Sequence, residues 1–369
     1  MSHIPFIEAK FFDPLQTRKA LGTRFENHLS ELRSSKIARD QAGGDLIDDH
    51  PEHGDQSKGS FDSPISDADF ARILRRAQRI IDLRKAASRL EHLPTQDRER
   101  LEAFRNGTRL VMIATEARAD ELAAELHKGM PWMAPATEIV WHAMRQSVRE
   151  GWQGMRLPPL LLDGPPGIGK SYWARRLGDL LTVPVTVIEA TGENATFGVV
   201  GTQRGWGNAS AGRLLNTVLE TRIANPIMIV DEVEKAGEAT STKGATFGLA
   251  QGLLPLLEPL TARRWSCPFY QVRFDMSWVS WVLTSNNYKL LPEPLLSRCP
   301  PMRLRNLTPA ELDEFVRREG RKRCLSEASI DAVAMALRHA QTRGVRPDLR
   351  LVSRLLQRAV FLENAPPLQ

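Results

Sequence analysis

The residues with the clearest chemical meaning lie in the segment LLLDGPPGIGKS, at positions 160–171. Gly164, Gly169, Lys170 and Ser171 fit the pattern G-x-x-x-x-G-K-[ST]. The glycines let backbone N–H groups curl around an anion, the lysine reaches the β- and γ-phosphates, and the serine hydroxyl can ligate Mg²⁺. The motif therefore predicts a nucleoside triphosphate, ATP, and Mg²⁺ as ligands. We expect the loop to bind the nucleotide through Gly164, Pro165, Pro166, Gly167, Ile168, Gly169, Lys170 and Ser171.

A second motif, NPIMIVDEVEK at positions 225–235, places two acidic residues at the end of a short apolar run. An acidic residue at such a strand end holds Mg²⁺ in enzymes with this kind of phosphate loop. We therefore expect Asp231 to ligate the metal together with Ser171. The adjacent Glu232 is placed to polarise a water for attack on the γ-phosphate, so it is the expected catalytic base, working beside Lys170.

Strand-like and helical segments alternate around these motifs. The apolar runs LLLD, PVTVIEA, IMIVDE and SWVSWVLTSN are separated by segments of helical periodicity. This alternation predicts an α/β fold over residues 151–306, with a parallel sheet flanked by helices. Residues 307–369 lack strand runs and are expected to form a small all-helical lid. Thr308, followed by Pro309 and Glu311, is a typical helix start.

The N-terminal part of the chain has a different composition. Residues 1–64 are polar and glycine-rich over much of their length, so we expect a disordered tail, although its apolar stretch at 4–12 could dock on the main body or a partner. Residues 65–150 are expected to form a helical region. The stretch 67–90 places arginines around one apolar helix face. A solvated surface is the favoured interpretation of these arginines, and nucleic-acid binding is the alternative.

Length, charge and cysteine content limit the number of domains, the kinds of partner and the cellular compartment. The 369 residues are enough for two or three domains, and the formal net charge of +6 is compatible with nucleic acid without requiring it. Cys267, Cys299 and Cys324 have neither metal-ligand nor disulfide spacing, which favours a reducing compartment. The sequence contains no signal-peptide pattern and no apolar run of membrane-spanning length. We therefore expect a cytoplasmic protein.

Several further segments resemble one family. Residues 160–358 resemble the AAA+ module of the Lon ATP-dependent proteases. The resemblance rests on four segments besides the phosphate loop: NPIMIVDEVEKA, LLPLLEPLTARRWSCPFYQVRFDMSWVSWVLTSNN, PEPLLSRC and RGVRPDLR. It implies a P-loop AAA+ fold, and it covers little more than half of the chain.

The resemblance also implies roles for single residues. Asn286 corresponds to the sensor-1 residue that holds the attacking water, and Arg298 to the arginine finger that reaches the γ-phosphate of a neighbouring subunit. Arg346 corresponds to sensor 2, which brings the lid onto the nucleotide. Trp206, between Gly205 and Gly207, aligns with the pore-loop aromatic that grips a translocating polypeptide. An arginine supplied by a neighbour implies a ring oligomer, and the family is hexameric.

Three hypotheses follow from these residues. The first is a Lon-like ATPase, without protease activity because the chain ends at Gln369, that remodels, unfolds or threads a protein partner. The second is a nucleic-acid-linked motor or loader, which the net positive charge of the chain suggests. The third is a switch in which ATP binding drives assembly and hydrolysis is slow. The intact acidic pair and Arg298 favour the first over the third.

Overall fold

The computed structural model describes residues 2–42, 65–191, 195–205, 209–236, 238–240 and 246–364. The helices of this part of the chain are α1 (Arg18–Ala42), α2 (Asp67–Ser88), α3 (Thr95–Glu102), α4 (Glu116–Gly129), α5 (Ala134–Arg149), α6 (Lys170–Leu181), α7 (Ala195–Val200), α8 (Gly212–Thr221), α9 (Leu249–Leu257), α10 (Pro259–Ala262), α11 (Glu293–Arg298), α12 (Pro309–Lys322), α13 (Glu327–Thr342) and α14 (Leu349–Glu363). The strands are β1 (Ser2–Ile4), β2 (Thr108–Leu110), β3 (Leu160–Asp163), β4 (Val185–Glu189), β5 (Ile227–Asp231), β6 (Glu238–Thr240), β7 (Thr246–Gly248), β8 (Trp265–Ser266), β9 (Arg273–Phe274), β10 (Ser280–Ser285) and β11 (Pro301–Arg303). Among the helices described, none is both long and apolar enough to cross a membrane.

The chain divides into two compact units. One contains Met1–Glu8 and Asn106–Gln369, and the other contains Ala9–Arg105. The boundary at 105 and 106 differs from the expected one near residue 150. The reason is that α4 and α5 pack against the sheet and belong to its core.

The unit Ala9–Arg105 is helical. Helix α1 packs along α2, where Ile73 and Ala77 are buried. Residues 2–42, which we expected to be disordered, therefore include a helix of 25 residues. Its polar sequence cannot bury enough surface alone, and packing against α2 supplies the missing stabilisation. The remainder of the expected tail, 43–64, lies outside the described residues.

The first residues of the chain dock on the larger unit. Strand β1 pairs with β2 in an antiparallel ladder. Ile4 and Phe6 are buried, and the ring centroid of Phe6 lies 5.3 Å from that of Phe274. Part of the apolar N-terminal stretch therefore packs against the larger unit of its own chain.

A five-stranded parallel sheet forms the centre of the larger unit, in the order β11-β3-β10-β5-β4. Every residue of β3 and β10 is buried, as expected for strands covered on both faces. This architecture confirms the predicted α/β fold. Strand β11 was not predicted, since Pro301–Arg303 is too short to show an apolar run.

Helices α4, α5 and α6 cover one face of the sheet. Trp173 of α6 is fully buried, and its indole Nε1 donates a hydrogen bond to Oγ1 of Thr137 in α5, 3.1 Å away. Val140 and Met144 of α5 are buried in the same core. This packing fixes α6, whose first residues carry the predicted lysine and serine.

The helices α12, α13 and α14 form the predicted helical lid around a separate apolar cluster that includes Leu312, Ile330 and Leu356. Helix α12 begins with a capping box. The Thr308 side chain accepts from the Glu311 backbone, and the Glu311 carboxylate accepts from the Thr308 backbone. The predicted helix start at Thr308 is confirmed.

Gly178 marks the closest approach of α6 to the sheet, and it yields a stability prediction. A Cβ atom on Gly178 would lie 2.0 Å from Cγ2 of Val185, a stiff side chain of β4. We expect Gly178→Ala to lower the free energy of unfolding by about 1–3 kcal/mol, because the overlap outweighs the better helix propensity of alanine. Urea denaturation followed by circular dichroism measures the change.

The matched control is Gly129→Ala at the end of α4, where an added Cβ meets nothing within 4 Å. It should leave stability unchanged or slightly higher. Equal unfolding midpoints for Gly178→Ala and Gly129→Ala would contradict the prediction.

Candidate nucleotide-binding site

The glycine-rich loop runs from the end of β3 to the start of α6. Gly167 has φ 75° and Gly169 has φ 91°, both in the left-handed region that favours glycine. A Cβ on Gly167 would lie 2.3 Å from Oδ2 of Asp348. The glycines therefore allow both the turn and the close approach of the lid.

Two hydrogen bonds anchor this loop to its surroundings. The indole Nε1 of the buried Trp132 donates to the carbonyl oxygen of Ile168 at 2.8 Å. The backbone N–H of Gly164 donates to the carbonyl oxygen of Ser285, at the end of β10, at 3.1 Å. The loop is thus held at its start and near its end by other parts of the protein.

Lys170 begins α6 and is only 7% exposed. Its Nζ donates to the carbonyl oxygens of Gly164 at 2.6 Å and Pro165 at 3.0 Å, and to Oδ1 of Asn286 at 3.0 Å. Burial lowers the pKa of the Lys170 ammonium, and nearby carboxylates, Glu234 foremost, oppose that lowering. The site therefore concentrates a positive charge where the β- and γ-phosphates of a nucleotide would lie.

Asp231 ends β5 and meets two hydroxyl groups. Its Oδ1 accepts from Oγ of Ser171 at 2.7 Å and from Oγ1 of Thr284. A carboxylate and a hydroxyl are hard oxygen ligands of the kind that Mg²⁺ takes, with phosphate and water oxygens completing its coordination. The residues present at this position fit a Mg²⁺ ion. Among the described residues, here and elsewhere, no group of three or more His, Cys, Asp or Glu side chains could hold a metal.

Glu232 follows directly, with a left-handed φ of 55° that turns the chain at the end of β5. Its backbone N–H donates to Oγ1 of Thr284 at 3.0 Å. Its carboxylate lies between Lys235, whose Nζ is 2.8 Å from Oε2, and Asn286, whose Nδ2 is 3.4 Å from Oε1. The bond to Glu232 raises the pKa of Lys235. The predicted base is thus held in one orientation.

Asn286 connects the lysine to the predicted base. Its side-chain amide accepts from Lys170 through Oδ1 and donates to Glu232 through Nδ2. Its backbone N–H donates to Oε1 of Glu234 at 3.0 Å. An amide between a phosphate-binding cation and a carboxylate base can hydrogen-bond a water that lies between them.

These side chains open on a cavity of about 380 Å³, within the range of ligand pockets. Its walls are formed by Pro166, Gly167, Gly169, Lys170, Ser171, Tyr172, Arg175, Asp231, Glu232, Thr284, Asn286, Phe315, Glu319, Arg323, Leu349, Arg350 and Ser353. Three residues of the predicted loop, Gly164, Pro165 and Ile168, do not form part of the wall. Their carbonyl oxygens accept from Lys170 and Trp132 instead.

The lid closes one side of this cavity. The backbone N–H of Leu349 donates to the carbonyl oxygen of Gly167 at 3.0 Å. Arg323 and Arg350 form part of the wall, whereas Arg346, the expected sensor 2, is exposed and does not. The difference arises because Asp348 caps α14, so Arg346 lies in the loop before the helix and Arg350 lies in its first turn.

The other two residues implied by the family resemblance lie elsewhere. Arg298 ends α11, where it donates to the carbonyl oxygen of Pro294 at 3.1 Å and lies 3.9 Å from Glu258. Its side chain is 36% exposed and is not part of the wall of the cavity in its own chain. Trp206, the expected pore-loop residue, lies outside the described residues.

The structure adds residues that the motifs did not identify. Thr284 bridges Asp231 and the backbone of Glu232, Glu234 positions Asn286, and Trp132 anchors the loop. Thr284 and Glu234 have a signal in the sequence, because each is a polar residue at or just after the carboxyl end of an apolar run. Trp132 has none, since its role depends on the packing of distant segments.

Comparison with known proteins identifies the central module. Residues 160–306 match the model of the ATPase family associated with various cellular activities (AAA). A stretch of 213 residues is 26% identical to the Lon protease of Mycoplasma genitalium, and covers 55% of this chain and 26% of that protein. A stretch of 165 residues is 30% identical to the peroxisomal Lon protease homolog 2 of Zea mays, and covers 45% of this chain and 18% of that protein. The chain thus spans about a quarter or less of the length of these relatives.

Thr284 gives a prediction about this site. We expect Thr284→Val to lower the kcat for ATP hydrolysis about 10- to 100-fold, because it leaves the N–H of Glu232 without its acceptor and removes one of the two hydroxyl donors to Asp231, the other being Ser171. ATP binding should change much less, because Lys170 is untouched. Steady-state phosphate release and a nucleotide-binding titration measure the two effects.

The conservative variant Thr284→Ser keeps the hydroxyl and should retain most of the activity. A Thr284→Val protein as fast as Thr284→Ser would show that the hydroxyl bridge has no part in turnover.

Proposed function

We propose that this chain, which carries an AAA-family ATPase module similar to that of the Lon proteases, uses ATP hydrolysis to remodel a protein partner. The observation that carries the proposal is the convergence of Lys170, Asp231, Glu232 and Asn286 on one cavity. Each has the chemical type and position that a step in nucleotide hydrolysis requires.

In this proposal each group has one task. Lys170 neutralises the β- and γ-phosphates, and Glu232 accepts the proton of the attacking water that Asn286 orients. Mg²⁺, held by Ser171 and Asp231, would supply charge neutralisation at the phosphates when bound. The short links among these side chains support their joint action, because a preorganised site spends little free energy on reorientation during the reaction.

The lid supplies further positive charge. Arg350 and Arg323 lie in the cavity wall and are the lid cations best placed to meet phosphate oxygens. Arg346 remains a proposed sensor 2 by its match to the family segment, and the Leu349–Gly167 hydrogen bond supports this proposal because it holds the start of α14, three residues after Arg346, against the phosphate loop.

Arg298 supports an oligomer. It belongs to the same module as the site, yet it does not line the cavity of its own chain. A finger arginine of this kind contributes on the order of 10³–10⁵ in rate when a second subunit supplies it. We therefore propose a ring, a hexamer by the resemblance to the Lon family, in which Arg298 completes the site of its neighbour.

The relatives indicate the kind of partner. They are proteases by name, and their matched region is the nucleotide-binding module. We propose that this chain shares the handling of a polypeptide and not the cleavage of peptide bonds. Trp206 is the residue that would grip the polypeptide, because the tryptophan side chain offers a large contact area and its two glycine neighbours in the sequence place few steric limits on the backbone.

Nucleic acid is the second candidate partner, and one surface favours it. Helix α2 exposes Arg72, Arg75 and Arg79, which lie on one face by their spacing. Arg72 lies 3.8 Å from Asp69, whereas Arg79 has no ion pair within the described residues. The surrounding carboxylates make this a weaker case than the protein-remodelling one.

The first test asks whether Glu232 of one subunit and Arg298 of a neighbouring subunit act in the same site. We expect Glu232→Gln to bind ATP without hydrolysing it, and Arg298→Ala to lose most activity while its own pocket stays intact. Mixing the two inactive proteins should restore part of the activity, because an Arg298→Ala pocket then meets an intact Arg298 from a Glu232→Gln neighbour. Phosphate release and mass photometry with ATP measure turnover and assembly.

The control is Arg321→Ala, which removes an exposed lid arginine paired with Glu327 and should leave turnover unchanged. Mixtures that assemble but stay inactive would contradict the proposal that a neighbouring subunit supplies Arg298 to the site. A Lys170→Ala protein as active as wild type would overturn the site itself.

The second test distinguishes the partners. We expect an unfolded protein such as casein to raise the ATPase rate and double-stranded DNA to leave it unchanged, with Arg75→Gln/Arg79→Gln behaving as wild type. Stimulation by DNA that falls steeply with salt and is lost in the double variant would instead establish the nucleic-acid function.

A further inference from the structure

A second cavity, of about 540 Å³, lies at the edge of the sheet opposite the phosphate loop. It is bounded by residues 156–159, which precede β3, and by Val279 and Trp281 at the start of β10. Helices α5, α9 and α10 complete it. The nucleotide cavity uses the carboxyl ends of the same strands, so the two spaces are separate.

The wall of this second cavity is mostly apolar, with Ile139 and Ala143 of α5 facing Leu256 and Leu257 of α9. Its polar members are His142, Gln146, Trp152, Arg156, Ser277 and the indole of Trp281. No aspartate or glutamate is among its lining residues. Glu150 is not part of the wall, and it accepts hydrogen bonds from Gln146 at 2.8 Å and from Trp152 at 2.7 Å. A ligand in the cavity therefore meets apolar surface and the positive charge of Arg156, and no carboxylate belongs to the wall itself.

Arg156 supplies that positive charge. Its guanidinium carbon lies 5.3 Å from the ring centroid of Trp152 and 5.9 Å from that of Trp278, and the residue is half-buried. In the part of the chain that the structure describes, Arg156 has neither an ion pair nor a hydrogen bond. Two indole rings thus hold a cation whose planar donors are unused, an arrangement suited to binding a carboxylate.

Trp281 supplies a second unused donor. The residue is 1% exposed, and its Nε1 has no acceptor among the described residues. Buried polar groups nearly always have a partner, so this N–H is one of the few exceptions in the core. A ligand oxygen in the adjoining cavity would provide the acceptor that the protein does not.

We propose that this cavity binds a small carboxylate with an aromatic or aliphatic body. The apolar walls take the body, Arg156 pairs with the carboxylate, and the cavity volume lies within the range of small-molecule sites. A cationic ligand is disfavoured because no lining residue carries a negative charge. The site would be independent of the nucleotide site, which shares none of its lining residues.

The test uses 4-phenylbutyrate as the probe and the full-length protein, with calorimetric titration at low salt. We expect saturable binding of one molecule per chain. The uncharged amide, 4-phenylbutyramide, should bind about tenfold more weakly, because it cannot form a charge-assisted pair with Arg156. Equal affinity for acid and amide, or no saturable binding, would overturn the proposal.

Three variants locate the site. Arg156→Gln should weaken binding of 4-phenylbutyrate about tenfold and bring it level with the amide. Ile139→Trp should abolish binding by filling the mouth of the cavity. Arg145→Gln is the matched control, since Arg145 also stacks on an indole, at 5.5 Å from Trp141, but lies outside the cavity wall.

Circular dichroism and ATP hydrolysis report whether each variant is folded, because none of these residues belongs to the nucleotide site. Unchanged binding in folded Arg156→Gln and Ile139→Trp proteins would overturn the assignment. So would an equal loss in Arg145→Gln, because the effect would then be one of net charge.

Discussion

The buried positive charge of Lys170 is the constraint on which the rest of the site depends. An ammonium group removed from water is costly unless hydrogen-bond acceptors and negative charge surround it. The carbonyl oxygens of Gly164 and Pro165 and the amide of Asn286 provide the acceptors, and Glu234 leads the nearby carboxylates. These groups follow three different strands, so the charge is stable only when the sheet is assembled.

The order of the strands in the sheet brings the groups around Lys170 together. Strand β10 lies between β3 and β5, with Leu283 paired to Leu161 on one side and to Val230 on the other. This register places Thr284 beside Asp231, the residue that ends β5. Parallel strands end at the same edge of a sheet, so one pairing brings the phosphate loop, the acidic pair and the asparagine to one cavity.

The sequence predicted the parts of the fold that carry their own local signal. Buried strands β3, β5 and β10 show as apolar runs, and the Thr308 cap shows as a short motif. Helix α1 gave no such signal because its stability comes from α2, and strand β11 gave none because it is three residues long. An element whose stability depends on a segment far away in the chain leaves no recognisable pattern in its local sequence.

The sequence by itself determined the ligand class, because the glycine, lysine, serine and acidic residues carry their chemistry in their type and spacing. Tertiary structure decided which residues share a surface. It separated Arg298 from its own cavity, placed Arg350 in the wall in place of Arg346, and set Arg156 between two indole rings. The physical reason is that hydrogen-bond geometry and burial depend on contacts between segments far apart in the chain, which no local spacing encodes.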